Sequence, residues 1–176
     1  TSQAKSALSQ SPVSGLFLVQ FSSPPSREAR EQLAAAGVDL LHYVPEDAYI
    51  ARLSGGSLGQ LRSTSLVQWV GPYHAAYKVH PRLAMASRAS PQTNSLVTVN
   101  AVLPPGPAPN EIVQARSLFS KLAHESRLRH GTILQGSLAP DRLDALAQSH
   151  AVLWIEQAPR RKLVDELAAK LVGGDD

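Results

Sequence analysis

Two stretches of this chain recur further along it, and that duplication limits the folds open to it more than any other feature. Gly15-Leu-Phe-Leu-Val-Gln-Phe21 reappears 80 positions later as Ser95-Leu-Val-Thr-Val-Asn-Ala101. Leu66-Val-Gln-Trp-Val-Gly-Pro-Tyr73 reappears 85 positions later as Ala151-Val-Leu-Trp-Ile-Glu-Gln-Ala158. The offsets differ by five residues, so both copies share one plan and the second carries a small insertion. A period this long fits two compact units, because solenoid repeats run only about 20 to 50 residues. Each unit, at roughly 70 residues, is near the size at which a lone core is marginal. The units are therefore expected to pack on each other or on a partner.

Composition narrows the class. The 176 residues are 43% hydrophobic and 18% charged, the make-up of a globular protein and not of a disordered chain. The formal net charge is only +3, with no long basic run, which argues against a nucleic-acid footprint. Arg127, Arg129, Arg160, Arg161 and Lys162 form the nearest thing to a basic patch, and a solvated surface is its preferred reading. Cysteine is absent, excluding disulfides and thiolate metal sites. No apolar run reaches the 18 or so residues that cross a bilayer as a helix. The chain opens on Thr1 and not on Met, from which the removal of an upstream segment is expected, by signal cleavage or by trimming.

Local patterns then give an element order. Residues 1–14 are polar and small, and read as a flexible lead-in. The first unit, 15–78, begins with an apolar strand over Leu16–Phe21, and a helix follows from Ser26 to Ala36, with Gly37 closing it. Val38–Val44 and Ala48–Leu53 are strands about the turn Pro45-Glu-Asp47. Ser57 with Gln60 has the spacing of a capping box and opens a short helix to Ser63. Val67–Val70 is the closing strand, with Trp69 assigned to the core. Residues 79–94 read as a linker.

The second unit, 95–158, repeats the order. Leu96–Val102 is a strand, and Pro104–Pro109 a loop holding part of the insertion. Ile112, Ala115, Phe119 and Leu122 have helical spacing, which extends the next helix through Leu122. Arg127–His130 and Thr132–Ser137 form a hairpin turning near Gly131, and Pro140–Ser149 is a helix. Val152–Glu156 closes the unit, with Trp154 as its core marker. The order β-α-β-β-α-β, twice, is the ferredoxin-like split βαβ plan, α+β with two helices on one face of a four-stranded antiparallel sheet. The opposite face is left open to a partner. Residues 159–176 form a tail in which Arg160–Leu171 reads as an amphipathic helix over Leu163 or Val164, Leu167 and Leu171.

The segments Gly37-Val-Asp-Leu-Leu-His-Tyr-Val-Pro-Glu-Asp-Ala-Tyr49, Leu66–Tyr73, Ile133–Ala147 and Val152–Glu156, in that order and duplicated, resemble the inhibitor-type N-terminal prodomain of secreted bacterial subtilisin-like serine proteases. The resemblance implies a tandem prodomain, acting as intramolecular chaperone and temporary inhibitor of a subtilisin-like catalytic domain made in the same precursor and then secreted. It also implies that the free sheet face packs on the protease, with acidic groups after the last strand capping helix N-termini there. Glu156 stands at the first such position, and Gln157, Ala158 and Pro159 follow it as contact candidates. Ala158 stands where a second acid is expected, and Gly71-Pro72 occupies the matching place in the first unit. The second unit is thus expected to make the direct contact, with the first as buttress or lid. A helical tail departs from the extended strand expected in a substrate cleft. Either Pro159–Asp176 refolds on engagement, or it is the entry segment of a protease domain, which is the preferred reading.

Three tempting motifs have plainer explanations. Gly55-Gly-Ser57-Leu-Gly59 fits G-x-S-x-G, but the hydrolase elbow needs a large parallel sheet and a later acid and His, so Ser57 is assigned to a helix cap. His130-Gly-Thr132 looks like the histidine motif of a subtilisin-like domain without its companion motifs, and is read as a turn. His42, His74, His80, His124, His130 and His150 lack metal-ligand spacing. No catalytic residue, metal or cofactor is expected. His150, beside the last strand, is the candidate for a pH-dependent release trigger. The alternatives are a stand-alone inhibitor or scaffold of this fold acting in trans, and, behind it, a ferredoxin-like ligand-binding module.

Overall fold

The computed structural model describes residues 12–89 and 96–159. The first unit comprises β1 (Pro12–Phe21), α1 (Arg27–Ala35), β2 (Val38–Val44), β3 (Ala48–Ser57), α2 (Leu58–Ser63) and β4 (Val67–Pro72). Two helices follow it, α3 (Ala75–Lys78) and α4 (Pro81–Ala89). The second unit comprises β5 (Val97–Leu103), α5 (Pro109–Ser117), β6 (Lys121–Leu128), β7 (Gly131–Leu138), a 3₁₀ turn at Pro140–Arg142 leading into α6 (Leu143–Gln148), and β8 (Trp154–Gln157). The sheets have the orders β2-β3-β1-β4 and β6-β7-β5-β8, and every strand pairing within them is antiparallel. The protein is therefore α+β, with two tandem sheets of the ferredoxin-like plan.

The boundaries have local causes. Ser26 caps α1 by accepting the Ala29 N–H at 3.2 Å, and Gly37, at φ 80°, takes the left-handed conformation that ends it. Glu46 and Asp47 both adopt positive φ in the β2–β3 turn, a conformation Asp tolerates better than most residues. At the start of α5 the Glu111 carboxylate accepts the Ala108 N–H at 3.1 Å, which satisfies one orphan donor.

Alternation in the strands sorts each sheet into two faces. In the first unit Val19, Phe21, Tyr49, Ala51, Leu53 and Val70 point to the helices and pack with Leu33 and Leu61. In the second, Val99, Ala101, Leu103, Leu134, Leu138 and Ile155 pack with Ala115, Leu143 and Leu146.

Several expectations need correction. Trp69 is not a core residue: Val70 takes the inward position on β4, and Trp69, one residue earlier, is 50% exposed on the opposite face. Trp154 is half-buried and shares that parity, because Ile155 is the fully buried member of β8. The helix expected through Leu122 ends at Ser117, and Leu122 belongs to β6, which begins at Lys121 and not at Arg127. β1 starts at Pro12, inside the expected lead-in. The stretch read as a linker holds α4, while α3 occupies the end of the expected first unit; Leu83 of α4 is buried in the core of the second unit with Ala75 and Val79 packed beside it. The expected tail helix over 160–171 lies outside the described residues, as do residues 1–11 and 90–95.

Candidate functional site

The faces away from the helices differ between the units. On the first, register places Leu16, Leu18 and Gln20 of β1 beside Arg52, Ile50 and Ala48 of β3, with Gly71 and Trp69 of β4 across from Leu18 and Gln20. This face is mainly apolar, and Leu16, Ile50 and Ala48 on it are buried. The Trp69 ring lies over Gly71 so closely that a Cβ there would come within 2.5 Å of it.

On the second unit the same face carries a polar ladder. The Gln135 amide donates to Asn100 Oδ1 at 3.0 Å, and Asn100 Nδ2 donates to Glu156 Oε1 at 3.4 Å. Thr98 and Ser137 share a hydroxyl hydrogen bond at 3.0 Å, one rung along. Trp154, opposite Val102, completes the surface. Glu156 is thus held half-buried on the open face by two strands. Gln157 and Pro159 are exposed, whereas Ala158 is buried and its N–H donates to the Thr98 carbonyl at 3.0 Å. Glu156, Gln157, Ala158 and Pro159 line one open cleft together with His80 and Arg82. The His80 ring stacks edge-on to Trp154 at 5.9 Å, and the His80 backbone N–H donates to the Ile155 carbonyl at 2.8 Å. The outer edge of β8 is therefore partly covered by Val79 and His80, which sequence reasoning did not foresee.

The two units are clasped at one end of the first sheet. Arg52 Nη1 donates to the Pro105 carbonyl at 3.0 Å and to the Gly106 carbonyl at 2.7 Å, and its Nη2 is buried without a hydrogen-bond partner among the described residues. The Tyr73 hydroxyl donates to the Leu153 carbonyl at 3.2 Å. Lys78, only 2% exposed, donates from Nζ to the Ser149 carbonyl at 2.8 Å and lies 5.9 Å from the Tyr73 ring centre. Burial lowers its ammonium pKa to about 8, since a charge out of water with no carboxylate beside it is disfavoured. The same burial raises the Tyr73 phenol. His150 is exposed, and a Cβ at Gly15 would stand 3.3 Å from its ring. The proposed pH trigger is thus positioned between the two units and not on the open face.

The motif residues take ordinary places. Ser57 is the last residue of β3, immediately before α2, and the capping role given to its side chain falls outside what the structure describes. His130 stands with Arg129 in the β6–β7 turn, and Gly131, the first residue of β7, sits at φ 139°, where any Cβ would run into the Leu103 carbonyl oxygen. Among the described residues, no three His, Asp or Glu side chains are grouped to hold a metal ion.

Residues 1–74 match the family model of a domain of unknown function (DUF8729). The matched segment ends two residues after β4, so it covers the first unit and stops before α3. No curated protein and no solved structure matches the chain.

Proposed function

We propose that this protein is a non-catalytic tandem binding module, and that it serves as the chaperone and inhibitor prodomain of a secreted subtilisin-like serine protease. The observation that carries the reading is that each sheet has its helices on one side only. On the second unit this leaves a surface of strands that presents a fixed carboxylate, Glu156, beside a half-buried tryptophan, whereas Leu16, Ala48 and Ile50 on the matching face of the first unit are buried. A partner that binds this surface only when folded gains stability by mass action, and a slowly folding parallel-sheet enzyme gains a template. The second unit is the proposed contact, because the Arg52 end of the first unit's open face is already engaged by the Pro105–Gly106 loop. The first unit then acts as a buttress.

The test is a titration of the purified chain against a subtilisin-like protease. Inhibition is expected to saturate near equimolar ratio, and Glu156→Lys is expected to weaken it by about tenfold, the effect of reversing one charge at a desolvated contact. Absence of inhibition at concentrations far above micromolar overturns the protease reading and leaves only the binding module.

A further inference from the structure

Among the described residues the two sheets have four edges, and one of them differs from the rest in charge. β4 carries no charged residue, β2 carries only Asp39, and the outer side of β8 is met by Val79. β6, the outer strand of the second sheet, has Lys121 and Arg127 within it, Arg129 in the turn after it, and Arg116 at the end of α5 behind it. Residues 115–130 hold these four cations against one acid, Glu125, a net charge of +3.

The cations are arranged on both sides of the strand. On the helix side Glu125 accepts both nitrogens of a bidentate Arg116 at 2.7 and 3.0 Å, and Arg127 approaches the same carboxylate at 3.5 Å. One acid shared between two guanidinium groups leaves that side positive, and the Arg127 side chain remains 81% exposed. On the open side Lys121 and His124 stand opposite Ser137 and Gln135, both exposed. Leu128 is 58% exposed. Among the described residues no strand pairs with the outward side of β6.

Like charges along an edge prevent a second copy of the same strand from pairing with it. The same charges attract an extended segment of opposite sign, whose alternate side chains would fall beside cations on each face. We infer that β6 is a strand-addition site for an acidic extended peptide, recognised by backbone pairing for affinity and by Arg116, Lys121, Arg127 and Arg129 for sign. This site is an edge and not a face, so it does not depend on the protease reading.

The probe is a fluorescein-labelled eight-residue peptide alternating glutamate and valine, followed by anisotropy and by amide chemical shifts of the full chain. Saturable binding with shifts concentrated at residues 121–128 is expected. N-methylation of alternate peptide amides is expected to weaken it by at least about tenfold, because it removes the ladder hydrogen bonds. The R127E/R129E variant, altered at exposed positions, is expected to lose a similar factor and to bind a lysine–valine peptide instead, which also reports that it is folded. Equal binding of the N-methylated peptide, or heparin binding that displaces it without shifts along β6, identifies a general polyanion surface and overturns the proposal. Shifts confined to the open sheet faces, or no binding up to millimolar peptide, overturn it as well.

Discussion

The two units share a plan but not a core. The first buries nine residues under its helices, whereas the second buries fourteen and draws Leu83 from α4, outside its own repeat. The first leans on its neighbour through Arg52, Tyr73 and the chain leading to Lys78. A duplicated unit near the lower size limit for autonomous stability can thus be completed in two ways: by recruiting the connector, or by bracing against the copy that did. The connector is then structure shared between the units and not a spacer.

Leu83→Ala tests that inference most severely. Leu83 is 1% exposed and packs in the second core, so truncation leaves a cavity and is expected to cost about 2–5 kcal/mol, measured by urea denaturation. A free linker would give a change near zero. Because the first unit braces on the second, the loss is expected in a single cooperative transition. A separate, unshifted transition for the first unit would show that the clasp contributes little.

Lys78 sharpens the comparison through pH. Its folded pKa, about 8, lies below the ordinary 10.5, so the folded state disfavours the charged form. The resulting penalty is fully present below pH 8, is relieved as pH rises from about 8 to 10.5, and vanishes above that range. At the scale of 1.36 kcal/mol per pKa unit it amounts to about 3 kcal/mol. Stability of the wild type is therefore expected to rise across this window. Lys78→Met, which removes the charge and leaves the Ser149 carbonyl with the Val152 N–H as its donor at 3.2 Å, is expected to flatten that rise. At pH 7 its net stabilisation is expected to be smaller, about 1–2 kcal/mol, because loss of the Lys78–Ser149 hydrogen bond offsets part of the relief. Parallel curves for wild type and variant between pH 8 and 10.5 would place the Lys78 ammonium in water.

The element order was legible because turn residues and alternation are local signals, whereas the clasp joins positions some 50 to 80 residues apart. Phe119 and Leu122 imitate helical spacing, yet α5 stops at Ser117 and Phe119 reaches the core from the turn beyond it. Short apolar intervals do not reveal where a helix hands over to a strand. Trp69 was misplaced because size was weighed above parity, when Val70 already held the inward position. The repeat itself slips: Trp69 faces Gln20 and Trp154 faces Val102, positions 82 apart, where the sequence match sets the first strands 80 apart. A slip of two keeps every side chain on its face, although Leu16, Ala48 and Ile50 on the helix-free face of the first unit are buried. Glu156 could be named from its strand, but its partner Asn100, and Gln135 that donates to Asn100, could not, since each comes from a different strand. The one local sign of the clasp was Arg52, a cation in the otherwise apolar run Ala48–Leu53.

The smallest expected effect separates the two open faces most directly. Gly71→Ala would set a Cβ 2.5 Å from the Trp69 ring, and that ring is the free end of a side chain with open solvent beside it. The ring can therefore swing away, and the stability change is expected to stay within about 1 kcal/mol. Its environment should change far more. In a Trp154→Phe background, acrylamide quenching of Trp69 is expected to increase as the ring leaves the sheet. The matching quenching of Trp154, read in Trp69→Phe, is expected to be unaffected by Gly71→Ala, because Trp154 is held by His80 and by the second sheet. If Trp69 quenching is unchanged, the ring does not rest on Gly71, and the apolar face of the first unit is built differently from the one described.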